Sequence, residues 1–302
     1  MKKIFQLVVL SSTFIFSLAS FAEEIPKDGR SFATTEVAPG IYMISGVGGF
    51  TGGNIGLSIG DDGVVMIDDS MPPLLDRMKK AIKSVTNKPV DFLINTHVHG
   101  DHTGNNKSIG DDGTRIVAHD NLRINMLTKE LTSKNGKKPM PKSALPVITF
   151  SHAMSFHLNG ESARIFHVEK AHTDGDAVIH YQNANVIHTG DTFFNGIFPY
   201  IDLNNGGSVN GYIAAQKKMI SLSNDQTKII PGHGPLANKS QLEQAVSMLI
   251  DSKNKISKLI AQGKSEEQVV KLNPLSKYHK DWSWSFITTE KMTRQVYKSL
   301  KN

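Results

Sequence analysis

Where a short apolar run ends, four side chains able to bind a metal ion fall within six residues. Asp91-Phe92-Leu93-Ile94 reads as a buried strand, and Asn95-Thr96-His97-Val98-His99-Gly100-Asp101-His102 follows it directly. Imidazoles and carboxylates crowded on a loop that leaves a buried strand converge only if something holds them together. His97 and His99 are two apart, so in an extended segment both rings point to one side. Gly100 frees the backbone to turn, and Asp101 and His102 are therefore expected to face a second point. One strand end would thus supply ligands to two adjacent ions. The alternative, a polar loop with incidental histidines, does not account for their density and order.

Three further candidates lie after or within strand-like segments: His172 in Ala171-His-Thr-Asp-Gly-Asp176, Asp191 in His188-Thr-Gly-Asp-Thr-Phe193, and His233 in Ile229-Ile-Pro-Gly-His-Gly234. Singly each is weak, because a lone histidine is more often a hydrogen-bonded structural residue and Gly-Asp is more often a turn. Together with the first cluster they give five histidines and two aspartates, enough for two ions with room for water. The chain has no cysteine, so such a site must be built from nitrogen and oxygen donors, which favours zinc, iron or manganese.

This pattern resembles the metallo-β-lactamase superfamily of metallohydrolases. The likeness runs through most of the chain up to about Gly234. It rests on Asp68 after the first strands, then H-x-H-x-D-H, then the isolated His172, Asp191 and His233, in family order. The resemblance implies an α/β fold, a four-layer αβ/βα sandwich with C-terminal helices and the metals at one edge. It also implies that His97, His99 and His172 hold one ion, that Asp101, His102 and His233 hold the other, and that Asp191 bridges them. Two zinc ions per chain are expected, with iron or manganese accepting the same donors. Asp101 would be the catalytic residue, both ligating and orienting a hydroxide. Asp68 would organise the His97 loop, or is simply a carboxylate at a strand-end turn. His119, His152, His157, His167, His180, His188 and His279 match no family ligand, with His188 the candidate for a supporting role.

The 302 residues, 39% of them hydrophobic, suffice for a sizeable core. Lys2-Lys3, an apolar run from Ile4 to about Leu18 and Ser20-Phe-Ala22 have the layout of a secretory signal peptide. The run is short for a membrane span and is broken by Ser11, Ser12 and Thr13. We therefore expect a leader over residues 1–22, a single domain over 23–302 whose part from about 239 is helical, a periplasmic or secreted location, and no stable membrane insertion after cleavage. Net charge is +6, but the lysines are scattered rather than gathered into a stripe, which argues against nucleic acid and for a small-molecule substrate. The sequence carries no signal for an oligomeric state.

Short strands are expected at 35–40, 41–45, 64–67, 91–94, 116–118, 148, 155–158, 163–168, 177–181 and 186–189, with an alternating segment at 54–59. Asp61-Asp62-Gly63 marks a hairpin turn. Helices are expected over 72–85, 121–131, from a capping box at Ser240–Glu243, from Ser265–Gln268 and over 289–301.

The bond to be cleaved is left open among ester, lactone, thiolester, amide (including β-lactam) and phosphoester. One subclass of metallo-β-lactamases has cysteine at the place of Asp191 and lysine three residues on; the latter place here is Phe194, so that carboxylate anchor is missing. The Asp191 arrangement is similar to glyoxalase II and lactonases. Export argues against a cytosolic glutathione thiolester, and beyond Lys253, Lys255 and Lys258 no basic cluster suits glutathione. Gly46–Gly53 with Phe50, and Phe193–Tyr200, are expected to flank the mouth, either as a nonpolar binding wall or as ordinary loop packing. The competing classes are an iron-dependent sulfur dioxygenase-like oxidoreductase and a non-catalytic periplasmic metal-binding protein.

Overall fold

The computed structural model describes residues 28–128, 130–133 and 136–301, so the expected leader lies outside the described residues. Strands β1 (Ser31–Ala38), β2 (Ile41–Val47), β3 (Ile55–Gly60) and β4 (Gly63–Ile67) form an antiparallel meander, with the Asp61-Asp62 turn joining the last two. A turn of 3-10 helix and α1 (Leu75–Lys83) lead to β5 (Phe92–Ile94), which runs parallel to β4. Short helices α2 (Gly100–Thr103) and α3 (Asn106–Asp111) precede β6 (Arg115–His119), parallel to β5. After α4 (Asp120–Thr128) come a separate hairpin of β7 (Glu130–Ser133) and β8 (Gly136–Pro139), then β9 (Ile148–Phe150), which completes a seven-stranded sheet. The helix expected over 121–131 thus stops at Thr128, because 130–133 pair with β8 instead.

The second sheet begins with the meander β10 (Ala153–Leu158), β11 (Glu161–His167), β12 (Ala177–Tyr181) and β13 (Val186–His188). Helix α5 (Val209–Leu222) crosses over to β14 (Lys228–Ile230), parallel to β13, and β15 (Ala237–Asn238) forms the edge. Helices α6 (Lys239–Ala261), α7 (Glu266–Leu272), α8 (His279–Trp282) and α9 (Thr289–Lys301) follow.

The continuous apolar runs of the central strands follow from burial on both faces. In β4, Val65 and Ile67 enter the core between the sheets, while Val64 and Met66 face α1 and α3, where Met78, Ile82 and Ile109 cover them. In β13 and β14, Val186 and Ile230 face the first sheet, while Ile187 and Ile229 pack under Met219 of α5 and Leu242 of α6. The layers are therefore helix, sheet, sheet, helix, the expected αβ/βα sandwich. A further core joins α5, α6, α7 and α9 through Tyr212, Leu249, Val269 and Val296.

Two local readings needed correction. The capping box of α6 is Asn238 with Gln241, not Ser240 with Glu243: Asn238, leaving β15 in an extended conformation, already accepts from Gln241 N, which places Ser240 inside the first turn. Helix α5 had no counterpart in the sequence reading, because Gly206, Gly207 and Gly211 mask its period; Ser208 starts it by accepting from Gly211 N.

Candidate metal centre

β4, β5 and β6 are parallel, and β11, β13 and β14 share one direction because β12 runs against its neighbours. Their C-terminal ends lie at one edge of the sandwich, and every candidate donor lies just past such an end. His97, His99, Asp101 and His102 follow β5, His172 follows β11, Asp191 sits in a 3-10 turn after β13, and His233 follows β14. All seven are brought together, as two groups: His97, His99, His172 and Asp191, and Asp101, His102 and His233.

The loop after β5 is pinned from below. Asp68, at the end of β4, accepts from Thr96 N at 2.8 Å, Thr96 Oγ1 at 2.7 Å and His102 Nδ1 at 2.7 Å. It does so from a left-handed backbone, φ 59°, which an aspartate tolerates better than most residues. Asp68 therefore anchors both halves of the motif. The buried amides of Asn95 and Asn106 bond each other at 2.8 and 3.0 Å and tie the loop to α3. Glycine is required where the backbone closes over the donors. A Cβ on Gly53 would lie 2.1 Å from His102 Cε1, and one on Gly232 would lie 2.1 Å from Asp191 Oδ1.

Four imidazoles are oriented through their outer nitrogens. His97 Nδ1 meets Thr96 Oγ1 at 3.0 Å, His99 Nε2 meets Asp202 Oδ2 at 2.8 Å, His172 Nδ1 meets the Tyr200 carbonyl at 2.8 Å, and His102 Nδ1 meets Asp68. Since Thr96 Oγ1 donates to Asp68, His97 Nδ1–H donates to Thr96. The nitrogens left over point inward: His97 Nε2 and His172 Nε2 lie 3.2 and 2.9 Å from His99 Nδ1. Donors bound to one zinc at 2.0–2.1 Å in a tetrahedron lie about 3.3 Å apart. The spacing fits one ion.

Asp191 faces both groups. Its Oδ2 lies 3.6 Å from His97 Nε2, 3.5 Å from His172 Nε2 and 3.4 Å from His233 Nε2, and its Oδ1 lies 3.1 Å from His102 Nε2. Close as they are, His102 Nε2 and Asp191 Oδ1 are not aligned for a hydrogen bond, and both are buried without any hydrogen-bond partner. A buried polar atom left unpaired costs about 1–3 kcal/mol. Cations at the two groups would satisfy both atoms, so the residues present fit two ions.

The electrostatics differ between the two groups. Burial pushes the His97 imidazole well below its usual range and His172 down to about 4, the neutral form that binds a cation. Burial would raise Asp191, but His102, His233 and His97 hold its carboxyl well below the ordinary range. Burial would lower His233, but Asp191 and Asp101 push it up to about 9. Burial pushes His188 down to about 4. Its Nδ1 accepts from Gly190 N at 3.3 Å, which steadies the turn carrying Asp191.

Above the donors opens a cleft of about 640 Å³. Its walls include Phe50, Phe194 and Tyr200, from the two segments expected at the mouth, and Met71, Trp284 and Phe286, which sequence reasoning missed. Phe193 and Phe198 of the expected stretch do not reach it; both are fully buried in the helical cores. Phe50 stacks on His233, ring centroids 5.8 Å apart, and Phe194 tilts against the same imidazole at 4.7 Å. Sequence reasoning also missed Asp202 as the partner of His99 and Tyr212, whose hydroxyl donates to the Asp191 carbonyl at 2.5 Å. Asp202 carried a faint signal, since Asp202-Leu-Asn-Asn-Gly206 reads as a capped turn, and Asp202 does accept from Asn204 N and Asn205 N.

A fold and a donor set of this kind define a metal-binding α/β sandwich of the hydrolase type. The sequence profile of the Metallo-beta-lactamase superfamily matches residues 48–233, and the chain belongs to that superfamily, whose members are mostly metal-dependent hydrolases of small molecules. It is 28% identical over 174 residues to a hydroxyacylglutathione hydrolase of Nitrosococcus oceani, covering 54% of this chain and 58% of that one. It is 25% identical over 177 residues to the 2,4-dinitroanisole O-demethylase subunit alpha of a Nocardioides species, covering 58% and 50%. The chain thus spans 50% to 58% of the length of these relatives. Among solved structures, a metallo-β-lactamase from Pontibacter korlensis superposes with a TM-score of 0.59 at 18% identity, over 73% of this chain and all of that one. The sec-alkylsulfatase Pisa1 of a Pseudomonas species superposes at 0.66 and 15% identity, over 88% and 50%. At these identities the likeness is one of fold.

Proposed function

We propose that this protein is an exported dinuclear zinc hydrolase that cleaves an ester-, lactone- or amide-type bond. The observation that carries the reading is the convergence of seven donors into two groups that share Asp191 at the floor of an open cleft. His97, His99 and His172 would hold one ion, Asp101, His102 and His233 the other. Bound there, two ions would supply a hydroxide at neutral pH and polarise the bond to be broken. Asp101 and His99 are the donors that reach solvent most, with side chains 21% and 20% exposed, and Asp101 Oδ2 lies 3.4 Å from His233 Nε2. Asp101 would take a proton from the attacking water and return it to the leaving group. The outer partners Asp68, Asp202 and Thr96 keep the imidazoles turned toward the floor through these steps.

The complete second group supports this reading over a mononuclear iron oxidoreductase, and the cleft above the donors supports it over a closed structural site. The relatives' names range from an acylglutathione to an aromatic ether, so the substrate has to be argued from the cleft walls. Location outside the cytoplasm rests on the layout of residues 1–22 alone. No helix among the described residues is long and apolar enough to cross a membrane. The test is hydrolysis of a panel holding a nitrophenyl ester, a homoserine lactone, a thiolester and nitrocefin. Turnover should vanish on chelation and return with zinc; silence of the zinc-loaded protein on every member would overturn the proposal.

A further inference from the structure

The cleft presents five aromatic rings above the donors and, among the described residues, no lysine or arginine in its lining. Phe194 and Trp284 meet at 6.4 Å between ring centroids, Trp284 and Phe286 at 5.6 Å, and Phe286 and Tyr200 at 5.6 Å, forming one continuous wall. Phe50 faces the site from the glycine-rich segment, 52% exposed, and Phe286 is 48% exposed. Large rings left this open beside a functional floor are binding surface rather than core. Two cations approach the rim, and each is engaged elsewhere. Arg30 pairs with Asp28 at 2.9 Å and donates to the Phe50 carbonyl at 3.4 Å, while Lys291 donates to the Phe286 carbonyl at 2.8 Å and lies over its ring. Neither lines the cleft.

Half of that wall comes from outside the stretch the superfamily profile covers, which ends at residue 233. Residues 282–287, from the last residue of α8 toward α9, are fastened to the loop that follows Asp191. Phe198 N donates to the Trp282 carbonyl at 2.7 Å, Trp284 Nε1 donates to the Phe198 carbonyl at 2.9 Å, and Gln295 Oε1 of α9 accepts from Ile201 N at 2.9 Å. These bonds hold Trp284 and Phe286 at a fixed height above His99 and Asp101.

We infer that the substrate carries an uncharged aromatic or similarly bulky apolar group remote from the bond that is cleaved, and that Trp284 and Phe286 on the C-terminal segment select it. A carboxylate, phosphate or glutathione-like tail at that place would lose its water and find no lysine or arginine among the described residues in return. The inference rests on the hydrolase reading for the reaction but not for the binding, and the two are tested apart.

The zinc-loaded full chain is given 4-nitrophenyl 3-phenylpropanoate and the same ester with a carboxylate on the far ring. KM for the neutral ester should be at least tenfold lower. Trp284→Ala and the milder Phe286→Ala, whose ring is half exposed and whose loss spares the core, should each narrow that gap to about threefold. Equal KM values, or a preference for the carboxylate, overturn the inference and leave the hydrolase standing. In parallel, 3-phenylpropan-1-ol is titrated against tryptophan fluorescence. Saturable quenching that weakens in Phe286→Ala supports the inference even if neither ester is cleaved, and in that event the hydrolase reading is what fails. Absence of quenching, with no preference between esters, overturns it.

Discussion

Four of the seven donors at the floor of the cleft are almost sealed from water, His97 at 1% exposure, Asp191 at 4% and His102 and His172 at 0%, whereas Phe50 and Phe286 of its wall stand half in solvent. The floor is polar and over-determined: each of four imidazoles has an outer partner, and glycines admit the backbone only where a side chain would collide. The wall is held by a few backbone bonds to an irregular segment. Burying polar groups demands that every one be satisfied, which fixes their positions; an apolar wall needs only shape. A floor so constrained suits chemistry shared across a superfamily, and a wall so lightly tied can change with the substrate.

Breaking the floor should have the larger effects. Asp101→Asn keeps the size of the side chain but removes a proton acceptor, and should lower kcat about 10²- to 10⁴-fold with both ions retained. Steady-state kinetics with metal analysis of the same sample checks it, and a loss of metal in proportion to activity would make Asp101 a ligand only. Asp68→Asn can no longer hold both Thr96 and His102 as a charged acceptor. It should weaken binding of the ion at Asp101, His102 and His233 about 10- to 100-fold by competition with a chelating dye. Ser265→Ala sharpens the contrast from the other side. It removes the N-cap of α7, far from the donors, and should cost about 1 kcal/mol, a fall of a few degrees in Tm. A shift in metal affinity in that variant would show that the helical part is coupled to the floor after all.

The same contrast explains what the sequence disclosed. Binding two cations takes an unusual density of imidazoles and carboxylates, and their order along the chain picks out all seven side chains that the fold brings together. The strands that carry them could be read for a related reason: burial on both faces leaves unbroken apolar runs such as Val64–Ile67. Asp202 lies 103 residues from the imidazole it orients; its place in a capped turn could be read, but its contact with His99 exists only after folding. Trp284 and Phe286 had no periodicity to mark them, and their role depends on where Phe198 and Ile201 place them. Helix α5 was hidden by glycines that its position does require: a Cβ on Gly211 would lie 2.0 Å from the Lys170 carbonyl oxygen.

The central claim is that the floor is a two-ion site joined by Asp191. It is tested most directly by counting zinc per chain, by mass spectrometry of the native protein and by elemental analysis after dialysis against a weak chelator. The account predicts two ions in the unaltered chain, and weakened retention of both in Asp191→Ala, since that carboxylate faces both donor groups. A single ion at saturation, or two ions held as firmly without Asp191, would contradict it.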